Sequence, residues 1–436
     1  MTAPRRSLLA PDPRTIARNR AEARFRAYGL GAVGVALVAL AVLLLSIFGN
    51  GSSAFYQTYL EVPVMLPEKS LDKSGTRDIE VMKKVTTVGY AKVLKTALDE
   101  AIEANGIIVE GLGKKDVGNM ISDEAAAQLR NMVLADPTLV GQTIAFEMLA
   151  NGRIDGYYKG RVTRESAALD SNVSPAQLDL ADALAEKGLL ATRFNLDFIT
   201  APDASDQRPE AAGLGVAILG SFYMMIVVLA LSLPIGVATA VYLEEFAVKN
   251  RFTDVIEVNI SNLAAVPSIV FGILGLAIFI NFAHLPQSAP IVGGLVLTLM
   301  TLPRIIIPAR AALKAVPPSI RDAALGVGAS RMQSVFHHVL PLAAPGILTG
   351  MIIGLAQALG ETAPLLLIGM VAFVRDYPGG LFDPATALPV QVYNWTQRAD
   401  PAFVERASGA IIVLLIFLLI MNTAAIVLRR RFERRW

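Results

Sequence analysis

Six apolar stretches, each long enough to cross a bilayer, decide what this chain can become. Residues 27–48 carry no charge, and further runs occupy 213–242, 256–282, 289–309, 344–374 and 408–428. A helix needs about 20 apolar residues to span the hydrocarbon core, where helices and closed barrels alone satisfy their backbone polar groups. The runs therefore predict a polytopic α-helical membrane protein with six transmembrane helices. Several runs are longer than required and are expected to tilt or kink, at Pro234, Pro303 and Pro364. A cleaved leader is the competing reading of 27–48, because small residues follow it. Leader cores usually run only about 7–15 residues, which favours a retained anchor. The composition agrees: 54% hydrophobic and 17% charged, against about a quarter charged in soluble domains.

Residues 49–210 differ in kind. They hold 24 acidic and 17 basic side chains and no run able to cross a membrane. "YAKVLKTALDEAIEA" and "SPAQLDLADALAEKGLL" read as amphipathic helices, "GIIVEGLG" and "RFNLDFIT" as strands. A small α+β domain inserted after the first helix is expected, and its net charge of −7 argues against capture of an anion.

Charge sets the expected topology. Seven arginines lie in the first 26 residues and five in the last eight. Loops 244–254 and 310–331 add Lys249, Arg251, Arg310, Lys314, Arg321 and Arg331, while the turn "NFAHLPQSA" has neither Lys nor Arg. The positive-inside rule then predicts both termini cytoplasmic and 49–210 outside. The expected organisation is a tail 1–26, a first transmembrane helix 27–48, an extracytoplasmic domain 49–210, a five-helix core 211–428 with a loop 313–341, and a tail 429–436 that meets lipid headgroups.

Few chemistries remain open. The absence of cysteine excludes disulfides and thiol catalysis, and His284, His337 and His338 lack zinc-binding spacing. "GLGKKD" has neither the spacing nor the Ser/Thr of a phosphate loop, so any driving ATPase is another chain. No H-E-x-x-H or G-x-S-x-G occurs, and "GLGVAILG" lies in a span, where glycines favour helix packing. No metal, bound cofactor or catalytic residue is expected, and the near-neutral net charge of +2 implies no nucleic acid.

The most informative loop is "LKAVPPSIRDAALGVGASRMQSVFHHVLPLAAPGI". Pro317 and Pro318 break the incoming helix, Ser319 is expected to cap a new short one, Gly326 and Gly328 to end it, and Pro341 to mark the turn into the next span. From the residues alone this is a surface helix or merely a folded loop. "RDAALGVGASRMQSVFHHVLP" resembles the EAA loop of ABC-importer permeases: E-A-A-x-x-x-G, nine residues, then I-x-L-P. Asp322, Ala323 and Ala324 fill E-A-A, Gly328 the glycine, and Leu340 with Pro341 the end; Asp322 replaces Glu and His338 replaces Ile. "GLAQALGETAPLLLIG" is further similar to phosphate permeases of the PstA type, and the 49–210 segment to an extension carried by some of them. The resemblance implies a non-enzymatic subunit of a bacterial inner-membrane importer for phosphate, working by alternating access. Its implied partners are a PstC-like permease, a dimeric PstB-like ATPase that uses ATP and Mg, and a PstS-like periplasmic phosphate-binding protein. The family implies that Asp322–Gly328 docks on the ATPase. A permease for another solute (sulfate, molybdate or an organic molecule) is the alternative, and a membrane sensor a third reading.

Glu361 stands inside the fifth apolar run, where a charge costs roughly 2.5–3.5 kcal/mol. It is expected one helical turn from Gln357, with Thr362 satisfying carbonyls loosened by Pro364. A carboxylate repels phosphate, so Glu361 is read as a partner for an arginine, with Arg304 or Arg310 as candidates, in a pathway or gating role or a structural one. Relatives often place a base where Gln357 stands.

Overall fold

The computed structural model describes residues 13–72 and 75–432. The tail arginines Arg5, Arg6, Arg434 and Arg435 lie outside the described residues. Helix α1 runs Pro13–Gly51; as far as Asn50 it is one body of its own, and the chain from Gly51 onward forms a second.

That second body begins with β1, Tyr56–Met65, the central strand of a three-stranded antiparallel sheet. Leu60, Val62 and Val64 point inward and Glu61, Pro63 and Met65 outward, the period-2 pattern of a half-buried strand. β2, Thr143–Leu149, pairs along one edge with Tyr59 opposite Leu149, and β3, Leu190–Phe194, along the other with Tyr59 opposite Ala191. Three helices supply the other side of the core: α2, Thr87–Ala104; α3, Asp123–Ala135; and α5, Pro175–Glu186, which Ser174 and Gln177 open with a reciprocal capping box. Between α3 and α5 lies α4, Gly152–Tyr158. Leu60, Val62, Leu94, Leu98, Leu129 and Leu178 meet in one buried cluster.

Two strand expectations need correction. "GIIVEGLG" is a loop, because Gly106 and Gly111 adopt φ of +63° and +85°. In "RFNLDFIT" only Arg193 and Phe194 belong to a strand, and Asp197–Thr200 is a helical turn.

The permease-like half is helical. α6, Gly215–Val241, is followed by α7, Arg251–Ala265, and α8, Ser268–Gly275; then come α9, Pro290–Lys314, and α10, Pro318–Gly326. α11 runs Arg331–Gly360, then α12, Ala363–Leu367, α13, Leu388–Thr396, and α14, Ala402–Phe432. Five helices among the described residues are long and apolar enough to span a membrane, or six if one bent pair counts as a span.

The bent pair corrects the straight span expected over 256–282: α7 and the helix after it meet at 102°. Pro267 is the cause, since it withholds an N–H and forces Val266 to an extended ψ of 132°. The run 344–374 is also not one helix. α11 stops at Gly360, and Gly369 turns the chain at φ +92°.

Candidate coupling helix and ion pair

α10 is a nine-residue helix held by its base and bare on its outward face. Pro317 is its cap and Pro318 its first residue, so Ser319 lies inside the helix rather than capping it. Gly328, at φ +91°, ends it: its N–H donates to Leu325 O (3.0 Å) and Ala329 N–H to Ala324 O (3.1 Å). This is the paired closure that a left-handed residue permits. Ser330 and Gln333 then cap one another's backbone and start α11 directly. The turn expected at Pro341 is therefore at Gly328–Ser330. Leu340 and Pro341 lie within α11, just after a widened π segment, Val335–Val339, that absorbs the N–H missing from Pro341.

Asp322 and Ala323 are exposed, Ala324 is buried, and Leu325 and Val327 stand out into solvent at 48% and 86% exposure. The residue that fixes this helix was not singled out in the sequence. Arg321 reaches both oxygens of Glu245, at 2.6 and 3.2 Å, and donates to Val316 O and Leu313 O. It thereby ties α10 to the end of α9 and to the segment after α6. Hydrogen bonding to the Glu245 carboxylate raises the already high Arg321 pKa. The adjacent acids "EE" at 244–245 beside an arginine-rich loop were the available signal. Arg310 pairs with Glu257 (2.7 Å) and Glu244 (3.5 Å), fastening α7 to α9, and does not join Glu361.

Glu361 is the C-cap of α11, extended at ψ 122°, rather than a residue in mid-helix. The cause lies in "GETAP": Gly360 weakens the last turn, and Pro364, four residues on, has no N–H to offer the Gly360 carbonyl and would crowd it with its ring. Arg304, midway along α9, brings Nη1 to 3.9 Å from Glu361 Oε1, and the two side chains are 24% and 20% exposed. Nη1 itself is buried without a hydrogen-bond acceptor. Close helix approach sets this distance. Gly346, Gly350 and Gly354 form one stripe on α11, where an added Cβ would meet Ala312, Pro308 and Thr301 of α9 at 2.7, 2.6 and 3.2 Å. Gln357 is exposed, and Thr362 contributes its carbonyl, not its hydroxyl, to the start of α12.

A second charged cluster, unforeseen in sequence, joins the sheet domain to α14. Lys159 Nζ lies 2.7 Å from Asp155 and 2.9 Å from Glu405, all three side chains being no more than 4% exposed. Arg161 stands 2.9 Å from the other Glu405 oxygen, an ion pair by distance without hydrogen-bond alignment. Burial pushes the Lys159 pKa down and that of Glu210 up.

Two family models match the chain. Residues 12–168 match a domain of unknown function, DUF3333, and residues 232–436 match the binding-protein-dependent transport system inner membrane component. A probable ABC transporter permease protein, YqgI of Bacillus subtilis, is 32% identical over 249 residues, 54% of this chain and 83% of that one. The phosphate transport system permease protein PstA of Mycobacterium leprae is 31% identical over 220 residues, 50% and 71% of the two chains. An inward-facing structure of the MetNI methionine ABC transporter aligns with 51% of this chain and 95% of its own at a TM-score of 0.40 and 18% identity. The chain belongs to the binding-protein-dependent inner-membrane component family: it is a permease subunit of an ABC importer.

Proposed function

We propose that this permease carries inorganic phosphate inward, handed over by a periplasmic binding protein and driven by a separate ATPase. The observation that carries the reading is the likeness of its helical half to PstA, 31% identical across 71% of that protein. The partners are a PstC-like permease, a PstB-like ATPase dimer and a PstS-like binding protein. Both termini face the cytoplasm and residues 49–210 the periplasm, as the loop charges require.

In this reading Asp322, Ala323, Leu325 and Val327 meet the ATPase, and Arg321 passes its movement through Glu245 to α6 and α9. Arg304 offers its guanidinium to the passing anion. Glu361 holds that guanidinium in place instead of binding phosphate, which a carboxylate would repel. A contact as long as 3.9 Å is easily remade when α9 and α11 move, as alternating access demands.

Labelled-phosphate uptake in a deletion strain tests the solute. Loss of high-affinity uptake, restored by the gene, is expected; normal uptake without the gene would transfer the same machinery to another solute.

A further inference from the structure

The sheet domain has no assigned role, and the chemistry of its attachment supplies one. Glu405 and Arg406 occupy the first turns of α14, and both side chains leave the helix bundle to enter the domain. Glu405 meets Lys159 and Arg161. Arg406, 2% exposed, donates to the Gln57 side chain of β1 (2.7 Å) and to Glu210 O (2.9 Å), with its guanidinium 5.3 Å above the Phe198 ring. Asp155 answers from within the domain, accepting from Thr58 N–H and Oγ1, both at 3.0 Å, while pairing with Lys159.

Two further latches lie alongside. Asp203 accepts from Trp395 Nε1 at 2.9 Å and from Arg398 at 2.6 Å, which ties the connector to α13 and its end. Glu124 of α3 pairs with Arg208 at 2.6 Å and with Arg375 at 3.4 Å.

Buried ions gain little over well-packed apolar groups, so such a cluster is poor as mere adhesive. Separation is another matter. It would leave Lys159 and Glu405 each short of a counter-charge, and would lift the Arg406 guanidinium from the Phe198 ring and from the Gln57 side chain. A joint of this kind holds one geometry and resists every other.

We propose that the sheet domain is a permanent clamp on the end of α14, riding with α13 and α14 as one body throughout the transport cycle. Asp155, Lys159 and Arg161 are then positioning residues for transport, acting through Glu405 and Arg406. The inference rests on the permease reading but not on phosphate as the solute.

Hydrogen exchange on the wild-type complex, resting and trapped with ATP and vanadate, tests permanence. Amides of residues 152–162 and 402–410 are expected to stay equally protected in both states; loss of protection in either overturns the clamp. This arm stands whether or not the wild type transports phosphate, so a wrong solute and a wrong clamp are told apart. Positioning is tested by Glu405→Gln, with Arg164→Ala on an exposed domain pair as the control. Glu405→Gln is expected to raise exchange at the joint and to lower maximal uptake at least tenfold, with KM and the amount of chain in the membrane unchanged. Wild-type uptake in that variant, or lost uptake with the joint still fully protected, overturns the positioning role. If the variant fails to insert, the wild-type exchange measurement still decides the clamp.

Discussion

The joint between the sheet domain and α14 and the contact between α9 and α11 both rest on opposite charges, yet they are built for opposite ends. At the joint, Lys159 touches two carboxylates within 3 Å, and these three side chains are no more than 4% exposed, with Arg161 reaching in from the edge at 25%. Between α9 and α11, Arg304 and Glu361 stand 3.9 Å apart with about a fifth of each side chain exposed. The first arrangement has no low-cost alternative, because any displacement strands a buried charge. The second loses little when it opens, since the pair is long and Arg304 Nη1 has no hydrogen-bond acceptor to give up. On the proposed reading, a fixed part and a movable part of the transporter differ in how completely their ions are enclosed.

Asp155→Ala is the strongest way to break this contrast. It leaves the Thr58 N–H without its acceptor and Lys159 with Glu405 alone, and about 3–5 kcal/mol of domain stability is expected to be lost, read by thermal unfolding. Arg321→Ala comes next. It strips α10 of its tie to Glu245, costing on the order of 2 kcal/mol; ATP hydrolysis is expected to persist while uptake falls at least tenfold. Glu361→Gln is expected to change stability by less than about 1 kcal/mol yet impair uptake with assembly preserved; full uptake would return Glu361 to a purely structural role.

The smallest effect concerns Glu210, whose side chain accepts from Ser122 and lies in the fields of Arg406 and Asp155. Burial raises its pKa above the ordinary 4.5. A group raised in the folded state contributes fully below pH 4.5 and loses that contribution as pH rises through its folded value. Glu210→Gln is therefore expected to flatten domain stability across that acidic window, as urea unfolding at several pH values would register.

Particular residues show why some of this was legible beforehand. The apolar runs located five long helices because twenty consecutive apolar residues have few other fates. The Asp322–Gly328 spacing located α10, since glycine at φ +91° is a local requirement. β1, the centre of the sheet, and its neighbour β2 were not singled out: Pro63 and scattered polar residues blur their alternation, and pairing partners such as Tyr59 and Leu149 lie far apart in the chain. Hydropathy placed Glu361 inside a span, because it counts apolar residues and does not register that "GETAP" ends a helix.

By itself, then, the sequence determined the helical membrane core, the presence of a small polar domain near the N-terminus and the helix expected to meet an ATPase. Each follows from composition or from contacts within a few residues. The tertiary structure alone decided that Arg321 ties α10 to Glu245, that the 256–282 run is bent, and that Glu405 and Arg406 join the sheet domain to α14. Those outcomes depend on which charges become neighbours after burial: Lys159 and Glu405 are 246 residues apart, and no local preference brings such a pair together.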